Sequence, residues 1–244
     1  MTRFFFNHPN LKLNHTVVVE GVLHHKMRNV LRLRVGESLY FFNNTGCEFF
    51  GKIVEQKKFK THILIMDQKE TTFKSHIHIT LAQALTKGKK FDWLLQKATE
   101  LGVRQFVPLI AQRNIIQKVS PGKIERWNKI VVHASQQSGR NDIPIIVPMM
   151  NLREYLKTIE NENAVKILLA EPHLVQLKQK SVLQDGQKFI IMVGPEGGFS
   201  ADEFDSIIQA HFHPITLGAL TMRSETAPLA LISILQYRCG EFKF

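Results

Sequence analysis

The chain has 244 residues, 44% hydrophobic and 22% charged, a balance that fits one large or two modest folded domains and excludes a disordered chain. Its apolar runs, such as Ile190-Ile191-Met192-Val193, fall far short of the roughly 20 residues that span a bilayer, and the opening Met1-Thr2-Arg3-Phe4-Phe5-Phe6 has no signal-peptide core, so the expectation is a cytoplasmic protein without membrane attachment. A net charge of +11 points to a polyanionic partner, nucleic acid first, while two widely spaced cysteines, Cys47 and Cys239, argue against a disulfide framework or a zinc cluster.

The charge is uneven: residues 1–74 hold 12 Lys/Arg against 6 Asp/Glu, and residues 75–244 hold 20 against 15. The first, more basic part reads as short strands broken by turn signals, at Arg3 to Phe6, Thr16 to Val19, Ser38 to Phe42, Cys47 to Glu55 and Thr61 to Met66, with Asn43-Asn44-Thr45-Gly46 as a hairpin turn. Strands at this spacing predict a small β-barrel. Between the second and third lies a helical segment, Leu23 to Arg34, whose Leu23, Met27, Val30 and Leu31 share a face while Lys26, Arg28, Arg32 and Arg34 add positive charge. A basic helix on a small barrel suits RNA; a solvated charged face has the same pattern. Glu70 to Ser75 is polar and predicts a linker.

Beyond it strands and helices alternate, the signature of an α/β domain with a parallel sheet. His78 to Leu85 is strand-like; Phe91, Leu94, Leu95, Ala98 and Leu101 keep helical spacing, and Gly102 sits where a C-terminal cap belongs. Phe106 to Ile110 is the next strand. Ile124, Trp127, Ile130, Val131 and Ala134 define a second helix stopped by Gly139, and Ile143 to Val147 is a short extended piece. Val165 to Ala170 and Phe189 to Val193 are apolar strands suited to burial on both faces. Ser200 with Glu203 forms a capping box opening a helix to about Ala210, and Ile215 to Leu217 is a last short strand. The terminal helix begins near Pro228 and is apolar almost all round through Leu229, Ile232, Ile234 and Leu235, which predicts burial, with a dimer interface as one way to achieve it.

Several common motifs fail. Gly46 to Lys52 has phosphate-loop spacing, but Ile53 replaces the magnesium-binding hydroxyl; no G-x-G-x-x-G follows a strand, and neither H-E-x-x-H nor G-x-S-x-G occurs. The histidines lack a third ligand at plausible spacing, so no metal is expected. Lys87, Lys89 and Lys90 stand directly before the Phe91 helix, where positive charge opposes the helix dipole; phosphate contact explains them, and a solvated loop does equally. Arg140 closes the polar cluster Gln136-Gln137-Ser138-Gly139 and reads either as a contact to a phosphate or base or as part of a capping turn.

Two glycine-bearing stretches, Gly194-Pro195-Glu196-Gly197-Gly198-Phe199 and Leu217-Gly218-Ala219-Leu220-Thr221-Met222-Arg223-Ser224-Glu225-Thr226-Ala227-Pro228, each follow a strand and lead into a helix. That places both at the carboxyl edge of a parallel sheet, where ligands collect.

Together with Arg3-Phe4-Phe5, His25 through Arg34 with Gly36, Lys97 through Val103 and Gln137-Ser138-Gly139-Arg140, these loops make the whole chain resemble the RsmE family of SPOUT-class RNA methyltransferases, which methylate N3 of a uridine in the decoding region of 16S ribosomal RNA. The resemblance implies a PUA-like RNA-binding barrel over residues 1–72, a SPOUT α/β domain with a trefoil knot over 73–244, a homodimer, the small ribosomal subunit as partner and S-adenosylmethionine as methyl donor. It implies a donor site at Gly194, Glu196, Gly197, Gly198, Leu217, Gly218, Leu220, Met222, Arg223 and Ala227, completed by Leu169 and Glu171 after the Val165 strand. The family pattern after the Leu-Gly pair is Pro-Arg-x-Leu-Arg; here Ala219 and Leu220 replace the Pro and the first Arg. Other SPOUT activities, on tRNA or a ribose 2′-hydroxyl, share these loops, and so does a non-catalytic RNA-binding assembly factor.

Methyl transfer from a sulfonium needs no metal, and positioning supplies much of its catalysis. The glycines let backbone approach the donor closely, and Leu169, Leu217, Leu220 and Met222 can wall its adenine. Uridine N3 must lose a proton, so a guanidinium from Arg140 or Arg223 is expected to stabilise the resulting charge. Glu225 is a candidate base; negative charge at the start of the last helix explains it as well.

Overall fold

The computed structural model describes residues 2–8, 11–70, 75–172 and 188–242. The chain forms two compact units, Met1–Lys74 with Ser135–Ile143, and Ser75–Ala134 with Pro144–Phe244. The expected linker lies largely in 71–74, outside the described residues. Nothing in the sequence pattern marks Ser135–Ile143 as part of the first unit.

Among its described residues the first unit has one five-stranded sheet of β1 (Arg3–Phe5), β2 (Thr16–Glu20), β3 (Ser38–Phe42), β4 (Cys47–Gln56) and β5 (Lys60–Glu70), in the order β1-β3-β4-β5-β2. β1 runs parallel to β3 and the other pairs are antiparallel. Among the described residues β1 and β2 are the edges, so the sheet is a half-barrel where a small barrel is expected. Strand spacing fixes how many strands exist, whereas closure requires the first and last to pair, and β1 has only three residues.

Period-two burial builds its core: β2 buries Val17 and Val19, and β5 buries Thr61, Ile63 and Ile65. Phe4, Leu39, Phe41, Phe49 and Ile53 complete it. Gly51 is required at the β4 bulge, because a Cβ there would lie 2.7 Å from Ile63 Cγ2. The expected helix from Leu23 to Arg34 is shorter, α1 (Gly21–His25) running into one π-helical turn at Lys26–Val30. Met27 is buried, but Val30 and Leu31, expected on the same packed face, are 62% and 42% exposed. The chain leaves the helix at Arg32, which takes a positive φ of 55°.

Arg3 ties Ser135–Ile143 to this sheet. Its Nε donates to Glu48 Oε1 at 2.8 Å, Nη1 to the Ser135 carbonyl at 3.3 Å and Nη2 to the Asn141 side-chain carbonyl, while the guanidinium lies 4.3 Å from the centre of the Phe42 ring. The Asn44 side chain accepts from Ile143 N–H at 2.9 Å.

Among the described residues the second unit has a seven-stranded parallel sheet. β6 (His78–Ala84), β7 (Gln105–Ile110), β8 (Ile145–Ile146), β10 (Val165–Leu169), β11 (Lys188–Val193) and β12 (His213–Ile215) take the order β12-β10-β11-β6-β7-β8, and β9 (Met150–Asn151) also pairs with β7. Its helices are α2 (Lys90–Glu100), α3 (Pro121–Ser138), whose last residues belong to the first unit, α4 (Leu152–Thr158), α5 (Ala201–Gln209) and α6 (Ala227–Arg238). The last strand falls two residues earlier than expected, because His213–Ile215 is the stretch in register with Ile167–Leu169. α4 is an addition to the expected elements, although its Asn151–Glu154 capping box is a local signal. α6 is less buried than expected, with Ile234 and Tyr237 in solvent.

Buried polar groups in this unit serve helix ends. Lys166, on β10, donates to the carbonyls of Ile159 at 2.8 Å and Ala210 at 3.4 Å, the C-terminal caps of α4 and α5, where a cation is favoured. α2 ends in a Schellman motif: Gly102, at φ 94°, donates to Thr99 and Val103 to Ala98. The Gln236 amide of α6 then donates to the Leu101 carbonyl at 2.6 Å. A Cβ on Gly102 would meet Gln236 Nε2 at 2.5 Å. Gly102→Ala is therefore expected to lower stability by about 1 kcal/mol or more in thermal unfolding, with Gln236→Ala in the same chain relieving only the steric part of that loss.

Candidate active site

Three neighbouring strands end level at one edge: Leu169 is in register with Val193 on one side and with Ile215 on the other. The Ala170 N–H donates to the Ile215 carbonyl at 2.9 Å, extending the alignment past the sheet. The described residues of the three loops that follow line a cavity of about 680 Å³, within the range of small-molecule sites.

The first glycine loop turns on a hydrogen bond from Gly198 N–H to the Pro195 carbonyl at 2.9 Å, with Gly198 at φ 67°. Gly194 lies under the Phe199 ring, which a Cβ would approach to 3.2 Å. Two cations from other elements hold this loop. Arg113, beyond β7, donates to the Gly197 carbonyl at 2.9 Å, and Lys90, at the start of α2, pairs with Glu196 at 2.7 Å. The loop then enters α5 through the Ser200–Glu203 capping box, and the other Glu203 oxygen accepts from Gln112 N–H at 2.7 Å.

The second loop contains Gly218 at φ 101°, and the Thr216 hydroxyl donates to the Gly218 carbonyl at 3.0 Å. The Arg223 carbonyl accepts from Thr226 and Ala227 at the start of α6. Glu225 is only 8% exposed; the Ser224 hydroxyl donates to one of its oxygens at 3.3 Å and Lys90 Nζ stands 4.0 Å from the other. Lys90 thus bridges the two loops electrostatically.

Leu169, Glu171, Gly194, Glu196, Gly197, Gly198, Leu217, Leu220, Met222, Arg223, Glu225 and Ala227 all line this cavity. Gly218 does not; it shapes the turn behind the wall. Lys90, expected to meet RNA phosphate, is part of the wall and engaged with Glu196, whereas Lys87 and Lys89 are exposed outside it. Arg140 belongs to the first unit, where Asp142 accepts from its Nε at 3.2 Å and its Nη2 at 2.7 Å. Sequence reasoning missed Arg113, Phe204 and Thr216 in the wall. The one signal for Arg113 is its place just past the carboxyl end of an apolar strand. Three groups of this unit have displaced titration and none lines the cavity: the exposed Glu125 carboxyl is held down by its hydrogen bond to Lys129. Burial pushes the Tyr155 phenol up, and burial with the Arg104 cation holds His78 below its usual range.

Residues 73–236 match the family model described as RNA methyltransferase domain, which sets the class. Ribosomal RNA small subunit methyltransferase E of Buchnera aphidicola, from the pea-aphid strain, is 35% identical over 238 residues, covering 96% of this chain and 92% of that one. A crystal structure of the Neisseria gonorrhoeae ribosomal RNA small subunit methyltransferase E bound to S-adenosyl methionine has a TM-score of 0.90 at 32% identity, covering 100% of both chains. A Legionella pneumophila putative methyltransferase, solved with the same cofactor, gives 0.87 at 29% identity, covering 98% of each chain. The chain belongs to the ribosomal RNA small subunit methyltransferase E family.

The positive φ of Gly198 makes a β-branched residue there strained whatever space it finds. Gly198→Val is expected to distort this loop and weaken ligand binding in the cavity at least tenfold in calorimetry, with the cofactor of the Neisseria relative as the probe, and with little change in the melting of the first unit.

Proposed function

We propose that the protein transfers a methyl group from S-adenosylmethionine to N3 of a uridine in the 16S RNA of the small ribosomal subunit. The convergence of three loops from adjacent strands on one cavity carries this reading. The lining fits the donor. Glycines at 194, 197 and 198 bring backbone to the surface, Leu169, Leu217 and Met222 offer an apolar wall for an adenine, and Glu171 and Glu196 offer acceptors for hydroxyl or amino groups. Bound S-adenosylmethionine supplies an electrophilic methyl group.

The residues of the chain do the rest by holding and orienting. Arg113 and Lys90 fix the first glycine loop from two sides, so its backbone groups are set before any ligand arrives. Uridine N3 is protonated at neutral pH, and its loss of that proton spreads negative charge onto the flanking carbonyl oxygens. Arg223, exposed on the cavity wall, is the guanidinium assigned to that charge. Leu220, standing 82% exposed where the family pattern has an arginine, leaves Arg223 the arginine of this loop. Arg140, oriented by Asp142, is assigned to RNA contact and to support of the same charge, together with Lys26, Arg28, Arg32, Arg34, Lys87 and Lys89 on the basic surfaces. Glu225 is assigned to brace the start of α6, since it is buried beside Lys90.

The same reading includes the family's PUA-like role for the half-barrel, a trefoil knot in the second unit, cytoplasmic residence and a homodimer. The exposed Ile234 and Tyr237 of α6 give a second copy an apolar surface to cover. Among the described residues no helix is long and apolar enough to cross a membrane.

The test is to incubate the protein with labelled donor and unmodified small subunits and to map the methyl group by mass spectrometry. Label at uridine N3 is expected; label on tRNA or a ribose oxygen would replace the proposal. Arg223→Ala is expected to slow methyl transfer by roughly 10²–10³-fold while donor binding survives. Arg140→Ala should also slow transfer with donor affinity unchanged, and wild-type rates would remove either residue from the mechanism.

A further inference from the structure

The hairpin between β4 and β5 turns through Lys57-Lys58-Phe59-Lys60, and Phe59 there is 72% exposed. A phenyl ring in water at a hairpin tip contributes nothing to the core of the first unit, and three lysines beside it disfavour an ordinary protein contact, whose centre is depleted in lysine. The tip is nevertheless held in place. The buried His24 bonds through Nδ1 to the Thr61 hydroxyl at 2.9 Å and donates through Nε2 to the Lys58 carbonyl at 3.2 Å. Arg28, from the π-helical turn, donates to the Lys57 carbonyl at 2.6 Å. Lys58 Nζ lies 5.2 Å from the centre of the Phe59 ring. The nearest paired carboxylate is Glu55, which Lys57 meets at 3.0 Å, so the tip keeps an excess of positive charge.

A fixed, exposed aromatic ring among cations is the arrangement that binds single-stranded nucleic acid, the ring stacking on a base and the cations following the backbone. We propose that this tip is an RNA contact in which Phe59 stacks on an unpaired base while Lys58, Lys60 and Arg28 engage the flanking phosphates. The proposal rests on the reading that the substrate is RNA, and specifies that the RNA beside the tip is unpaired, because a duplex offers no open base face within it.

The test uses the full chain and a fluorescein-labelled, unstructured oligoribonucleotide, with anisotropy titrations over a series of salt concentrations. Phe59→Ala is expected to weaken binding roughly tenfold with the salt slope unchanged, and Phe59→Trp to restore wild-type affinity. Lys58→Gln with Lys60→Gln should instead flatten the slope, by about 0.7 for each phosphate that is no longer neutralised. Phe59 is largely in solvent, so these variants leave the core intact. Equal affinity for wild type and Phe59→Ala would overturn the proposal. So would loss of binding to phosphatidylserine vesicles with RNA affinity kept, which would assign the tip to a membrane surface. Methyl transfer to small subunits is measured in parallel: a wild-type protein that binds through the tip yet methylates nothing sinks the proposed activity alone, and normal methylation with tip-independent binding sinks only the tip.

Discussion

The site depends on β10 lying between β11 and β12, all three parallel and ending level. Parallel strands are joined by crossovers, so each carboxyl end must open into a loop at the same edge. Leu169, Val193 and Ile215 end in register, so three loops from distant parts of the sequence face one space. Packing reinforces the alignment: Ile167, Leu168, Ile191 and Met192 have almost no exposed surface, and a slip of one residue would exchange side chains between two packed faces, each fitted to its own neighbours. Lys166 extends the constraint outward, because its ammonium group joins the ends of two helices to the same strand.

On that frame the loops are held by charge. Lys90 and Arg113 come from elements on the β6 and β7 side of the sheet and grip the Glu196 side chain and the Gly197 carbonyl. A glycine loop gains freedom to approach a ligand and loses more conformational entropy when ordered. Anchoring it at two points places that cost in folding instead of in binding. Both cations are partly solvent-facing, so their value lies in geometry more than in stability.

Much of this is legible in the sequence. β6, β7, β10 and β11 read cleanly because strands buried on both faces are short, continuous apolar runs. The end of α2 and the start of α5 are visible because Gly102 and the Ser200–Glu203 pair leave local signals. What escapes depends on distance or on small elements. Lys90 and Glu196 are 106 positions apart, and nothing in either neighbourhood reveals their pairing, so the lysine reads from sequence as an outward phosphate contact. The break at Arg32 and the π-helical turn defeat a strict helical period, which places Val30 and Leu31 on a packed face. Strand spacing reads as a small barrel and the sheet is a half-barrel, since closure is a property of two edges and of no single strand.

Arg3 has a consequence for the order of events during synthesis. Its guanidinium finds acceptors at Ser135 and Asn141, 132 and 138 positions further on. At about 5–20 residues per second, translation delivers those acceptors roughly ten seconds after Arg3 itself. Until then, among the described residues, Glu48 and the Phe42 ring attend the cation, and the half-barrel is a sheet without its last segment. β6 and β7 of the second unit are made before the first unit is complete. The segments of the two units are therefore synthesised interleaved, and the first is complete only after part of the second has already been made.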